Sequence, residues 1–335
     1  MKKSFMFFIL YLLFVSCDFQ QGKPTSKNFD IYKLADGVYA LIHKFGGKAI
    51  ANAGLIDLGN KTIVFDTFLS PVVAEEIPEI VKKLNLSPIR YVVNSHWHDD
   101  HIRGNQVFGS DVKIISTQRT RELIEQNEPD NLVFQKKYAP GKFAYYDSLL
   151  TAFQGDTSSR EYKDILMWRP YYQVLAEENH LIKTRLPEIF VEDQKTIAGD
   201  ERSLQLISKG AGHTESDLIL FLPREKIVFT GDIVFIGMHP YLADGNTENL
   251  KKYLAFILNL GADTVVPGHG PVGAAKDIVL MISYVKTVEQ LAAHLLQEGK
   301  SPDQAVWPAP FNKWWFERFA GWNIEFVYNT LKEKL

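Results

Sequence analysis

Apolar positions along this chain come first in short alternating or continuous runs and later in stripes at helical spacing. Residues 37–42, 53–58 and 62–65 read as strands rich in β-branched residues. Gly59-Asn60-Lys61 turns the last two into a hairpin. Ser70-Pro71 offers an N-cap and a first-turn proline, and Val73, Ile77, Ile80, Val81 and Leu84 mark one helical face that Pro78 kinks or restarts. Tyr91-Val92-Val93 and residues 112–115 are further strands, and residues 117–126 a helix. Strands return at 188–191, 203–207, 217–222 and 226–230, with Pro223-Arg224-Glu225 making the last pair a hairpin. From Ile278 to Leu295 the stripe is that of a long amphipathic helix.

Two apolar hairpins echo one another. Residues 55–66 and 219–232 both end in Ile-Val-Phe followed closely by an aspartate, Asp66 and Asp232. An architecture of two similar halves would produce that echo. Between the halves, residues 128–186 are aromatic-rich, with helical stretches at 159–167 and 171–178. Two roles stand open for this insertion: a lid or pocket wall, or a helical pair that only packs on the sheet.

The first 17 residues change the picture. Lys2 and Lys3 precede an apolar run too short for a permanent span, which fits a leader ending at Cys17. Leu13-Phe14-Val15-Ser16-Cys17 resembles a bacterial lipobox, which implies a lipid on Cys17, attachment to a membrane and location in the cell envelope, at its periplasmic or surface face. Residues 18–28 are polar, as a tether would be. Cys17 is the single cysteine of 335 residues, so the exported chain has neither disulfide nor ligand thiol. With 46% hydrophobic residues, positions 29–300 make one large domain, and 301–335 form a tail holding Trp307, Trp314, Trp315 and Trp322. That tail is expected to close a core, with a membrane-facing patch as the alternative. Loss of Lys2 and Lys3 leaves 35 basic against 40 acidic residues, and no basic stripe invites nucleic acid.

The densest chemistry lies at Asn94-Ser95-His96-Trp97-His98-Asp99-Asp100-His101, followed by Arg103-Gly104-Asn105. Imidazole nitrogen and carboxylate oxygen are ligands for first-row divalent metals. His96 and His98, two apart, point the same way on extended chain. Asp100 and His101 diverge from them and suit a second ion. Downstream, Gly212-His213-Thr214, Thr230-Gly231-Asp232 and Pro267-Gly268-His269-Gly270 each follow an apolar run.

In this order, His-x-His-x-Asp-His and the three later motifs resemble the metallo-β-lactamase superfamily over most of residues 30–290. The resemblance implies a four-layer αββα sandwich with two zinc ions at one edge. It implies that His96, His98 and His213 hold the first ion, that Asp100, His101 and His269 hold the second, and that Asp232 bridges. Asp66 takes the place of a strand-end aspartate behind the ligands that orients an imidazole. The activity implied is hydrolysis of a small carbonyl-type substrate (ester, amide, lactone or thioester, with β-lactams among the candidates) by a hydroxide shared between the metals, which Asp100 orients or deprotonates.

Departures from the pattern narrow the family. Aspartate at 232 excludes the cysteine-ligated β-lactamases, and His98 stands where flavo-diiron proteins carry Glu. The tail lacks the basic glutathione-binding character of hydroxyacylglutathione hydrolases. Export and net acidity argue against RNA processing. A lipid-anchored binding or scaffold protein on the same fold is the competing reading, and a missing ligand would have favoured it. His43, His180 and His294 lie outside the motifs and are expected to pack or face solvent, while His239, close behind Asp232, is open to a packing or a pocket-lining role.

Overall fold

The protein is described here from a computed structural model covering residues 24–334. The expected leader, Cys17 and the first part of the tether lie outside the described residues. Seven strands form the first sheet in sequence order: β1 (Phe29–Ala35), β2 (Val38–His43), β3 (Ala53–Asp57), β4 (Thr62–Phe65), β5 (Ile89–Val93), β6 (Lys113–Ser116) and β7 (Ile189–Phe190). The second sheet has β8 (Gln194–Ala198), β9 (Ser203–Ser208), β10 (Leu218–Leu222), β11 (Ile227–Phe229) and β12 (Thr264–Val266), ordered β12-β11-β10-β9-β8.

The sheets pack face to face. Ile56, Phe65, Val93 and Ile115 of the first share one buried cluster with Leu204, Leu206, Leu220 and Phe229 of the second. The two hairpins legible in the sequence are the antiparallel pairs β3–β4 and β10–β11, and they meet in this layer. Phe65 and Phe229 lie 5.8 Å apart between ring centroids. A Cβ on Gly54 would stand 2.5 Å from the Phe229 ring, so only glycine allows that approach.

Helices cover the outer faces. On the first sheet, α1 (Pro71–Ala74) and α2 (Glu76–Lys83) set Val73, Ile77 and Ile80 against Leu55, Val64 and Val92. The Ser70 hydroxyl accepts a bond from the Val73 amide at 3.1 Å, the expected cap. The helix restarts at Glu76, which puts Pro78 in its first turn, where a missing N–H costs little. A one-turn helix, α3 (Asp99–Ile102), follows the histidine loop. On the second sheet lie α6 (Thr247–Asn259), α7 (Ala275–Gln297) and α8 (Glu317–Lys332), burying Tyr253, Leu254, Val285, Val288 and Ile324 against Ile207 and Val228. The result is the four-layer αββα sandwich.

The insertion holds α4 (Gln118–Ala152) and α5 (Arg160–Glu177). The sequence reading stopped the first helix at 126 and broke the second near 170, but α4 runs through Pro129 and Pro140 and α5 through Pro170. Helix α4 therefore enters the insertion continuously from Gln118. Strand β8, helix α6 and the tail helix α8 correspond to no element in the sequence pattern described above. Strand β8 is an edge whose one buried residue is Ile197.

β4, β5 and β6 run parallel, with Phe65, Val93 and Ile115 in register, and β11 and β12 are parallel with Phe229 beside Val266. Their carboxyl ends therefore deliver Asp66, the 94–101 loop, Asp232 and His269 to one edge of the sandwich.

Candidate metal centre

Two groups of donors converge at that edge. His96, His98, His213 and Asp232 form one, and Asp100, His101 and His269 the other; within each, the candidate ligand atoms lie within 4.8 Å of one another. The Asp232 carboxylate faces both. Its Oδ2 lies 3.3 Å from His213 Nε2 and 3.8 Å from His96 Nε2. Its Oδ1 lies 3.2 Å from His101 Nε2 and 3.5 Å from His269 Nε2. All seven candidate ligands, with Asp66, are thus brought together.

The hydrogen-bond network assigns a tautomer to four of the five imidazoles, His96, His98, His101 and His213. Ser95 donates its hydroxyl to Asp66 Oδ2 at 2.8 Å and accepts from His96 Nδ1 at 2.9 Å, so the His96 Nε2 lone pair points inward. His101 Nδ1 donates to Asp66 Oδ2 at 2.8 Å. His213 Nδ1 donates to the Tyr241 carbonyl at 2.9 Å. His98 is reversed: its Nε2 donates to Asp244 Oδ2 at 2.9 Å and Nδ1 is the inward atom. Asp66 does this from a left-handed backbone (φ 58°) that aspartate tolerates, while also accepting from the Ser95 amide at 2.7 Å.

These residues fit a pair of divalent cations. His98 Nδ1 and His213 Nε2 face each other at 3.1 Å, a pair that either a shared proton or a shared cation would hold together. Donor separations of 3.1–3.8 Å across both groups bracket the edge of a tetrahedron with metal bonds of about 2.0–2.1 Å, roughly 3.3 Å. His96 Nε2, His101 Nε2 and Asp232 Oδ1 are buried without a hydrogen-bond partner. Such orphaned atoms are costly in a finished core and ordinary in a ligand set.

Charge points the same way. Asp66, Asp100 and Asp232 are all buried together, which demands compensating positive charge. Burial would raise the Asp100 carboxyl, but His101 and His269 hold it at about 2. Burial would lower His269, but Asp232 and Asp100 bring it up to about 9. The carboxylates that favour positive charge at those histidines would equally favour a bound cation. Burial drives His213 down to about 4, leaving it in the neutral form that ligates.

Supporting groups came from places the sequence did not flag. Asp244 and Tyr241 lie in the loop before α6, which carries no motif. Asn52, after β2, donates to the Pro267 and Gly270 carbonyls at 2.9 Å each and so ties the first sheet to the His269 loop. Gly268 lies so close to Asp232 that a Cβ would overlap Oδ1. Asn105 bonds Asn94 and Thr67, and Arg103 reaches into α4, which accounts for the Arg-Gly-Asn tail of the motif. His43 is buried with its ring 5.9 Å from His269, nearer the centre than its lack of a motif implied. His239 packs between Tyr284 and Trp307 and does not line the site.

A cavity of about 350 Å³ opens over the donors. His98, Asp100, His269 and Asp244 line its base, and α4, α5 and α8 supply its walls. The insertion is therefore a pocket wall. The tail divides: Trp314 stacks on Tyr284 in the core, whereas Phe316, Phe319 and Trp322 line the cavity.

A family model described as the Metallo-beta-lactamase superfamily matches residues 46–269, a span containing all seven donors. The chain belongs to that superfamily, and its donor set is that of a candidate metal centre. It is 26% identical over 252 residues to a "Beta-lactamase-like protein 2 homolog" of Caenorhabditis elegans, a match covering 72% of this chain and 64% of that protein. Against Metallo-beta-lactamase IND-1 of Chryseobacterium indologenes it is 27% identical over 187 residues, 52% of this chain and 73% of the relative. Among solved structures, a metallo-beta-lactamase from Pontibacter korlensis superposes with a TM-score of 0.55 at 18% identity, covering 77% of this chain and 99% of that one. FIM-1 of Pseudomonas aeruginosa, in its mono-zinc form, gives 0.55 at 16%, covering 79% and 98%. These structural likenesses show the shared fold.

Proposed function

We propose that the chain is a dinuclear zinc hydrolase acting on a small ester, amide, lactone or thioester, with β-lactams inside that class, and that it is exported and held at a membrane by a lipid on Cys17. The observation that carries the reading is the Asp232 carboxylate, whose two oxygens are divided between two donor groups. His96, His98 and His213 would hold one ion and Asp100, His101 and His269 the other, with Asp232 between them. Bound there, two divalent ions supply a nucleophile at neutral pH by lowering a water's pKa from ~15.7 to ~7, and polarise the carbonyl under attack. An all-nitrogen-and-oxygen, histidine-rich donor set favours zinc.

The chain's own groups do the rest. Ser95, Asp66, Asp244 and the Tyr241 carbonyl fix the imidazoles before substrate arrives, so little reorganisation remains. Asp100, beside His101 and His269, would orient the attacking hydroxide or take up its proton. The walls from α4, α5 and α8 exclude bulk water and orient the acyl group.

The test is a hydrolysis screen of the zinc-loaded chain across esters, amides, lactones, thioesters and β-lactams, with and without chelator. Turnover that chelator abolishes and zinc restores is expected. A chain holding two ions that hydrolyses none of these compounds would instead be a lipid-anchored binding protein.

A further inference from the structure

The cavity over the metal centre is built unlike its base. Aromatic rings from three separate segments line it: Phe134 and Tyr138 from α4, Trp168 and Tyr172 from α5, and Phe319 and Trp322 from α8. The rings brace one another. Phe134 stacks on Tyr138 with ring centroids 5.3 Å apart, and Trp168 on Tyr172 at 5.8 Å. Among the described residues lining the cavity there is no lysine or arginine, and the charged side chains besides histidine are Asp99, Asp100 and Asp244.

The neighbouring cations are already engaged. Arg318 sits behind the wall, its guanidinium carbon 5.0 Å from the Trp168 ring centre, and it donates to Tyr146 at 2.6 Å and to Tyr172 at 3.4 Å. It lines a different cleft, shared with Glu161 and Glu317. Arg103 is buried outside the cavity lining, its Nε and Nη2 paired with Glu128 and Asp99 and its Nη1 left without a partner. Lys142 stands over the Tyr138 and Tyr145 rings, and Tyr145 is not part of the cavity. A substrate carboxylate held against the ring walls, away from the metal-binding base, would leave water for apolar rings, with no lysine or arginine among the lining residues to receive it. An apolar group would bury against rings that are largely preformed.

We propose that the site selects uncharged substrates whose acyl side carries a bulky apolar group, long-chain or aromatic, and discriminates against substrates bearing a carboxylate there. This rests on the hydrolase reading for its reacting end, and it narrows that reading away from anionic compounds, β-lactams with a free carboxylate included.

Two matched pairs test it, one by binding and one by turnover. Octanamide and the monoamide of suberic acid are titrated onto the full chain, zinc-loaded and chelator-treated, with tryptophan fluorescence as the readout because Trp97, Trp168 and Trp322 line the cavity. 4-Nitrophenyl octanoate and mono-4-nitrophenyl suberate give the turnover comparison. Octanamide should bind at least about tenfold tighter than the acid, and affinity should rise several-fold, up to about fourfold, per added methylene. The octanoate ester should show the same preference in kcat/KM, carried mainly by KM. Phe134→Ala and Trp322→Ala, at positions 62% and 42% exposed, remove ring surface without opening the core and should each weaken octanamide several-fold. Equal or tighter binding of the acid, or affinity independent of chain length, overturns the proposal. Selective binding with no chelator-sensitive turnover leaves the selectivity standing and removes the hydrolase reading. Chelator-sensitive turnover of both esters at equal efficiency does the reverse.

Discussion

Replacing Asp244 with alanine removes the acceptor that fixes His98. His98 is the imidazole oriented through Nε2, and the Asp244 bond at 2.9 Å is what turns Nδ1 toward His213 and Asp232. Without it the ring is free to flip and to take the other tautomer, so part of the binding energy goes to restoring one orientation. Loss of such an outer carboxylate typically costs 10–100-fold in metal affinity, which is about 1.4–2.7 kcal/mol. The fold should not feel the change, because the Asp244 side chain is 35% exposed and sits in the loop before α6. Competition of the purified variant against a chelator of known zinc affinity measures the effect, with melting curves recorded in chelator as the folding control. Asp244→Asn keeps an amide oxygen that can accept from Nε2 and should recover much of the loss. Zinc affinity within about twofold of the parent in Asp244→Ala would refute the positioning role, and equal losses in Asn and Ala would mean that charge rather than orientation matters.

Three further outcomes are expected. Asp232→Ala should lower chelator-sensitive hydrolysis more than about 100-fold and reduce bound metal, whereas His294→Ala, on the exposed face of α7, should change neither; parent-like turnover in Asp232→Ala would show that Asp232 is no ligand. His239 is held at about 4 by burial, below the ordinary ~6.5, and accepts from the Tyr284 hydroxyl, so it contributes stability above pH ~6.5 that is lost as pH falls toward 4, by about 3 kcal/mol. Denaturant titrations should show that slope shrink in His239→Gln, and parallel pH profiles would contradict it. Cys17→Ser should move the protein from the membrane fraction to the soluble one; a variant that stays membrane-bound after normal processing would point to another anchor.

Legibility followed physical rules. The donors were readable because His96, His98, Asp100 and His101 crowd into six positions after a strand, and His213, Asp232 and His269 each follow an apolar run with a glycine directly before them. The paired hairpins were readable too, since the layer they bury is continuous apolar sequence. Helix α4 was not, because its buried face includes Glu128 and Gln135, both answered by Arg103, and two prolines interrupt its pattern. Asp244 and Tyr241 carried no signal at all: their roles come from a loop folded back over His98 and His213. The cavity wall was only half visible, since the aromatic insertion stood out while its partnership with Phe319 and Trp322, more than a hundred residues away, exists only in the fold.

Elemental analysis of the purified chain, made without chelator and with zinc supplied, tests the central claim most directly. Seven imidazole and carboxylate donors in two groups joined by Asp232 cannot be satisfied around one four- or five-coordinate ion. Close to two zinc ions per chain is the result predicted, and one tightly held ion, or none, would contradict the dinuclear account.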